Sequence, residues 1–327
     1  MPFYRIYGLR IRSNQELPTL TPQELIFDHP DVDLRLDELP DWDAELIARA
    51  LRRGELQDGQ KAPLDPESPY VWRTHTQGQN FERWMLQNGM IFIISEKGDK
   101  IWARWPPEIT LDLVTAYLLG PILGYVVYLR GMLCLHASSV LVGGRAIGLM
   151  GVAGAGKSTT SAAMASMGYP LISEDHLALA LDGGRWMAQP GYPIVRLWPD
   201  SAEMLAGGPA NLPELAPGFR KRYLNLAGTT MLASEAAPLA GLYILLPRVN
   251  ADDAPRIQPL DAQQRLMAVI RNSYTTVVLN KTQKGGEFQT LAKLAAAVPV
   301  FSVTPHSDPA RLPDLCRAIA KHAANPA

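Results

Sequence analysis

Apolar and charged residues alternate from Tyr4 to Arg12 (YRIYGLRIR), and that period of two predicts a strand with one buried face. Periodicity then fades. Residues 14–70 are rich in Pro, Asp, Glu and Leu and offer only short strand or helix candidates. The apolar runs Met90–Ser95 (MIFIIS) and Lys100–Trp105 (KIWARW) flank a Glu96-Lys97-Gly98-Asp99 turn, which predicts a hairpin. Residues 1–108 are therefore expected to form a small β-rich N-terminal domain without a chemical motif, and residues 109–327 a second domain.

An apolar helix is expected from about Leu111 to Leu129, then a strand over Met132–Val142 ending at a Gly143-Gly144 turn. A second strand, Arg145–Met150, runs into a glycine-rich loop, and a helix follows from Lys157 to about Met167. The short strand Pro170–Ser173 ends at Glu174-Asp175. A hairpin over Leu177–Leu181 and Arg185–Ala188 is expected next, then a PGYP turn at Pro190–Pro193 and a strand through Val195 and Leu197. Residues 200–240 read as loops with short helices, and Leu242–Leu246 as a strand. Helical spacing returns at Ala262–Ile270, Glu287–Ala297 and Pro309–His322, with a strand at Val300–Val303. No solenoid repeat is present, and residues 323–327 are expected to fray.

One element raises the question of a membrane. Leu113–Leu129 is 17 residues without a charge, just short of the roughly 20 that span a bilayer. Gly120, Pro121 and Gly124 interrupt it, and Asp112 and Arg130 bound it, so a buried core helix is expected instead. Composition changes this picture little. The chain has 327 residues, 47% hydrophobic and 19% charged, with a formal net charge of −1. That balance gives no global attraction to nucleic acid or anionic membranes, and neither is expected as a partner. Cys134 and Cys316 stand far apart without a CxxC or His-rich setting, which favours two buried thiols over zinc or a disulfide. The N-terminus lacks a signal-peptide pattern, and a cytoplasmic location is expected.

The chemistry sits in Gly151-Val152-Ala153-Gly154-Ala155-Gly156-Lys157-Ser158, which matches GxxxxGK[ST] between an apolar strand and a helix. Its glycines let backbone N–H groups turn inward on a phosphate, and the helix N-terminus favours the anion. Lys157 is expected on the β- and γ-phosphates and the Ser158 hydroxyl on magnesium. At ordinary residue frequencies the pattern arises by chance in about one chain of this length in a hundred. The expected nucleotide-binding residues are Gly151, Ala153, Gly154, Ala155, Gly156, Lys157, Ser158 and Thr159.

Around the loop the alternatives stay open. Glu174-Asp175, at the end of a strand parallel to the one feeding the loop, can hold magnesium and accept a hydroxyl proton, or can be a solvated acidic turn. His136 is either a core histidine or a group facing the γ-phosphate. A cation for the transferring phosphate can come from Arg196, Lys221-Arg222 or Arg271, each equally readable as a surface charge.

The run Leu135-His136-Ala137-Ser138-Ser139-Val140-Leu141-Val142, the loop GVAGAGKST, and Gly168-Tyr169-Pro170-Leu171-Ile172-Ser173-Glu174-Asp175 together resemble the catalytic core of HPr kinase/phosphorylase. The resemblance covers about residues 130–200. It implies an α/β fold with the P-loop kinase core shared with phosphoenolpyruvate carboxykinase, a compact β-rich nucleotide domain rather than a broad Rossmann sheet. It also implies that His136 is the active-site histidine, Glu174 the base, and Asp175, with Ser158, near the metal; Glu-Asp stands here where HPr kinases have Asp-Asp. The Glu-Ile-Arg-Gly loop of HPr kinases is missing. In its place stands Pro190-Gly191-Tyr192-Pro193-Ile194-Val195-Arg196-Leu197-Trp198-Pro199. With Lys221-Arg222-Tyr223 and Tyr4-Arg5-Ile6-Tyr7-Gly8-Leu9, this segment is similar to the HPr kinase-related proteins of bacterial peptide biosynthesis clusters. Members of that group phosphorylate the C-terminal serine of lasso peptide precursors. The resemblance thus implies a serine kinase using ATP and Mg2+ on a peptide, with His136, Glu174 and Asp175 as catalytic residues, and the reading of the candidate cations adds Arg196 to them. A kinase/phosphorylase acting on HPr or another protein, and a nucleotide-binding scaffold without transfer activity, are the alternatives. The oligomeric state stays open, a homo-oligomer included.

Overall fold

In the computed structural model of the chain, residues 1–24, 28–54, 70–208, 211–214, 220–275 and 278–325 are described. The expected N-terminal strand is two strands, β1 (Phe3–Ile6) and β2 (Leu9–Ser13). Tyr7 and Gly8 take φ of 54° and 76° between them, the paired positive values of a type I′ turn, which reverses the chain where alternation alone predicts continuation.

The chain divides into two units, Met1–Arg5 with Leu9–Leu118, and Ile6–Gly8 with Leu119–Ala327. The first carries β3 (Val32–Leu36), α1 (Asp43–Arg52), β4 (Tyr70–Thr76), β5 (Gln79–Met85), β6 (Ile91–Ser95), β7 (Lys100–Arg104) and α2 (Leu111–Tyr117). Its seven-stranded sheet runs β1-β2-β3-β7-β6-β5-β4. β3 is parallel to both neighbours, and β4 to β7 form an antiparallel meander. The expected hairpin is β6–β7, closed by Ser95 Oγ, which donates to Asp99 at 2.6 Å and accepts from the Lys100 N–H at 3.0 Å. The β4–β5 hairpin was not foreseen, because RTHTQGQNFER is polar on both sides of the turn. Residues 55–69, in the segment expected to hold only short elements, lie outside the described residues, as do the last two positions of the expected frayed end.

The apolar helical run continues through a π-turn at Leu118–Ile122 into α3 (Leu123–Leu129). Pro121 sits in that turn; its missing N–H and its ring displace the regular bonding of the previous turn. Leu111–Leu129 is long and apolar enough to cross a bilayer, but 67% of its apolar window is buried inside the protein, as in a core helix.

The second unit continues with β8 (Leu133–Leu135), β9 (Ser138–Val142), β10 (Arg145–Met150), α4 (Lys157–Ser166), β11 (Leu171–Ser173), β12 (Leu177–Asp182) and β13 (Arg185–Ala188). Then come β14 (Ile194–Leu197), α5 (Pro199–Ala206), β15 (Arg222–Asn225), β16 (Ala237–Leu245), β17 (Arg256–Pro259), α6 (Ala262–Arg271), α7 (Lys281–Ala297), β18 (Val300–Thr304) and α8 (Leu312–Ala324). Nine strands form a mixed sheet in the order β11-β9-β10-β16-β13-β12-β8, with β18 beside β16 and β17 beside β18. Among the described strands of this sheet, β10–β16 and β16–β18 are the parallel neighbours. β14 and β15 pair separately.

Burial explains the sequence of β10. Ile147 and Leu149 enter a core with Met164 of α4 and Ile319 of α8, whereas Ala146 and Met150 enter one with Val269 of α6 and Leu291 of α7. A strand covered by helices on both faces reads as an unbroken apolar run. The single strand expected over Met132–Val142 is instead broken at His136-Ala137: β8 pairs with β12, and β9 with β10 and β11. The His136 N–H leaves the ladder for the Asn272 carbonyl, 2.7 Å away. The fold is mixed α/β with several sheets.

Candidate active site

The glycine loop leaves β10 at Gly151 and enters α4 at Gly156. Gly151, Gly154 and Gly156 take φ of 143°, 81° and 102°. Gly156 is the N-cap of α4, and no side chain caps the helix. The first N–H groups of α4 are thus left to whatever the loop holds. Lys157 is 7% exposed and donates from Nζ to the carbonyls of Gly151 (2.8 Å) and Val152 (3.4 Å). Burial lowers its pKa, against the pull of Asp175 and Glu174. Thr159 shares a hydrogen bond of 2.7 Å with Ser201 of α5, and the Gly151 N–H donates to Asn272 Oδ1 at 3.3 Å.

The acids follow β11. This strand runs in the same direction as β10 but is separated from it by β9, which is antiparallel to both. Its register against β9 slips between Leu171 and Ser173, and the Ser173 and Ser139 hydroxyls meet at 3.0 Å just before the acids. The chain then folds sharply: the His176 N–H donates to the Glu174 carbonyl at 2.7 Å, with Asp175 at φ 65° between them. An i to i+2 bond around a positive φ is a strained γ-turn. It sends the neighbouring carboxylates to different partners.

Glu174 is 2% exposed and accepts a 2.7 Å hydrogen bond from the Ser158 hydroxyl on Oε1, while its buried Oε2 has no partner. Burial, and then the charge of Asp175, raise its pKa well above the ordinary carboxylate value. Asp175 lies 3.4 Å from His136 Nδ1, 3.7 Å from His176 Nδ1 and 3.8 Å from Arg196 Nη1. Burial pushes its pKa up, but His176, His136, Arg196 and Lys221 together outweigh burial and hold it low. Asp175 is ionised.

The structure therefore gathers His136, Lys157, Ser158, Glu174, Asp175 and Arg196 into one connected cluster. Of the other candidate cations, Lys221 acts on Glu174, Asp175, His136 and Lys157 through its charge, and its Nζ sits 5.3 Å from the Trp198 ring centre. Arg222 pairs with Glu214 instead. Arg271 is exposed at the end of α6 and makes none of the ion pairs of the cluster.

Sequence reasoning missed the aromatic and histidine wall behind Asp175. His176 is 1% exposed, and burial pulls its pKa down to about 4. Its ring stands edge-on to Tyr274 at 4.0 Å and to Tyr7 at 6.5 Å. Gly124 leaves room for the Tyr274 ring, which a Cβ there would approach to 2.9 Å. Tyr7 and Tyr192 meet at 6.2 Å, and the Tyr192 hydroxyl accepts from Arg196 Nη2 at 3.0 Å. The adjacency of His176 to the paired acids was the available signal; Tyr7 and Tyr192 stood in segments marked only by resemblance, and Tyr274 had no signal.

No protein-family model matches the chain, and no curated protein matches it in sequence. Among solved structures, the Hpr(Ser) kinase/phosphatase from Coxiella burnetii aligns over 59% of this chain and 88% of its own, with 12% identity and a TM-score of 0.32. A likeness that slight decides neither mechanism nor substrate.

Proposed function

We propose that this protein is an ATP-dependent kinase that transfers a phosphoryl group to a serine hydroxyl of a peptide, using Mg2+. The observation that carries this reading is one connected constellation. A glycine loop opens on an uncapped helix N-terminus, Lys157 lies folded on that loop, Ser158 is bonded to a buried acid, and a second, ionised acid stands beside His136 and Arg196.

Each residue has a job in phosphoryl transfer. The loop N–H groups and Lys157 would bind the β- and γ-phosphates, with Nζ exchanging the carbonyls of Gly151 and Val152 for phosphate oxygens. The residues fit a divalent cation. The partnerless Oε2 of Glu174 and the Ser158 hydroxyl are oxygen donors side by side, and Mg2+ takes few protein ligands beside phosphates. When bound, that ion would neutralise charge on the phosphates and keep Glu174 ionised. Resemblance alone assigns Glu174 to the base and Asp175 to the metal, whereas the geometry favours the exchange of those roles. As the serine oxygen bonds to the γ-phosphorus and the β,γ-bridging P–O bond breaks, the hydroxyl proton passes to Asp175. His136 and Arg196 hold that carboxylate, and Arg196 supplies positive charge near the transferring group.

The acceptor rests on sequence. The two segments similar to the lasso precursor kinases, around Tyr7 and around Tyr192, meet beside Arg196, which supports a peptide ending in serine as the substrate. Incubation with ATP, Mg2+ and such a peptide, with HPr in a parallel reaction, tests this. Phosphate on the peptide serine is expected, and phosphate on HPr alone would replace the acceptor. Lys157→Ala should abolish transfer while leaving the protein folded. Near wild-type turnover in that variant would sink the kinase reading, and ATP binding without transfer to any acceptor would leave a nucleotide-binding regulator.

A further inference from the structure

The parallel strands β10, β16 and β18 end side by side. In sheets of this kind, ligands bind beyond the carboxyl ends of parallel strands. The glycine loop leaves β10 at that edge, and Leu246 to Val249 leave β16 next to it. This second segment is held firmly. The Leu246 N–H donates to the Val303 carbonyl at 2.8 Å, the Val249 N–H to Pro305 at 3.0 Å, and the Ser307 N–H to the Val249 carbonyl at 2.9 Å. Arg248 projects from between these anchors. Its Nη2 lies 3.1 Å from where a Cβ on Gly156 would stand, so the guanidinium rests over the N-cap of α4.

That is an unfavourable place for a cation. The N-terminus of a helix carries partial positive charge, and α4 has no acid in its first turn and no capping side chain. Lys157 adds a second positive charge one residue away. Among the described residues Arg248 is exposed and forms no ion pair that would explain its position. A structural arginine would be expected against a carboxylate or a helix C-terminus. An anion between the guanidinium and the loop would be attracted by both.

We propose that Arg248 is a second phosphate-binding cation of the glycine loop. It would close over the phosphate chain of the nucleotide from the β16 side, while Lys157 reaches it from within the loop. The inference rests on the nucleotide reading of the loop and adds a specific residue to it, one outside the motif and 91 positions beyond Lys157 in sequence. Guanidinium suits this position because it can donate to two phosphate oxygens at once. Gly156 suits it too, since a Cβ there would stand 3.1 Å from the guanidinium, tighter than ordinary contact.

Calorimetric titration of ATP with Mg2+ into the wild type, Arg248→Ala, Arg248→Lys and Lys157→Ala tests the proposal, together with the melting temperature of each nucleotide-free protein. Arg248→Ala should weaken ATP binding about tenfold or more, the usual effect of losing a charge-assisted hydrogen bond. Arg248→Lys should recover part of that loss. The nucleotide-free Arg248→Ala protein should melt at or above the wild-type temperature, because a cation has left a helix N-terminus. Affinity within twofold of wild type, or a lower melting temperature without nucleotide, would overturn the assignment of Arg248 and leave the loop reading standing. Absence of ATP binding by the wild type would instead overturn the loop reading itself.

Discussion

Glu174 and Asp175 are adjacent acids made unlike by their surroundings. A buried carboxylate that lacks a full set of partners favours its protonated form, and an ionised one pays to stay charged. With its folded-state pKa raised above the ordinary 4.5, Glu174 binds its proton more tightly in the folded protein than in the unfolded chain. Its contribution is therefore favourable at acid pH and is lost as pH rises from about 4.5 toward neutrality. Glu174→Gln should abolish transfer yet be more stable than the wild type at pH 8 in EDTA, by at least ~1 kcal/mol, since one pKa unit is ~1.4 kcal/mol. The gap should close near pH 4. Equal stability of the two proteins across that range, measured by chemical denaturation, would contradict the burial of an orphaned charge. The γ-turn that separates the two acids leaves no mark in the sequence, because it depends on a single positive φ at an ordinary aspartate.

At the scale of elements, caps and ion pairs give clear expectations. α7 begins with a capping box in which the Asn280 side chain accepts from the Gln283 N–H and the Gln283 side chain accepts from the Asn280 N–H. Asn280→Ala should cost about 1 kcal/mol of stability in a urea titration. This box was legible as Asn followed three residues later by Gln, but the helical periodicity placed the start only at Glu287, because Gly285 and Gly286 dilute it. In the first unit, Asp43 of α1 and Arg83 of β5 form a pair at 3.4 Å with side chains 5% and 9% exposed. Burial raises the Asp43 pKa and lowers that of Arg83, each against the attraction of the other. Asp43→Ala leaves the guanidinium buried alone and should destabilise by about 3–5 kcal/mol. A loss below 1 kcal/mol would show that Arg83 escapes to water.

At the scale of the whole molecule, the second unit joins a mixed sheet to helices on both faces, so that the loop, the acids and His136 come from three separate strand ends. A ligand that binds only this folded arrangement stabilises it by mass action. Saturation with ATP and Mg2+ at a hundred times the dissociation constant is worth ~2.7 kcal/mol. At roughly 2–4 °C per kcal/mol, the melting temperature should rise by roughly 5–10 °C. Lys157→Ala should show little of that shift, and an equal shift in both proteins would place nucleotide elsewhere.

The glycine loop, the helix after it, most of the second unit's strands and the C-terminal helices were written in local pattern. Each depends on contacts within a few residues: glycine's freedom at positive φ, a period of two or of 3.6, a turn residue. The sequence also brought His136, Lys157, Ser158, Glu174, Asp175 and Arg196 forward as candidates by residue type. It could not break Met132–Val142 at His136, because that break depends on a carbonyl at Asn272, 136 positions later. Nor could it give the two acids their different surroundings or bring Arg248 to Gly156. Those outcomes depend on strands distant in sequence ending at one edge of a sheet, and burial and charge act there only after the chain has folded.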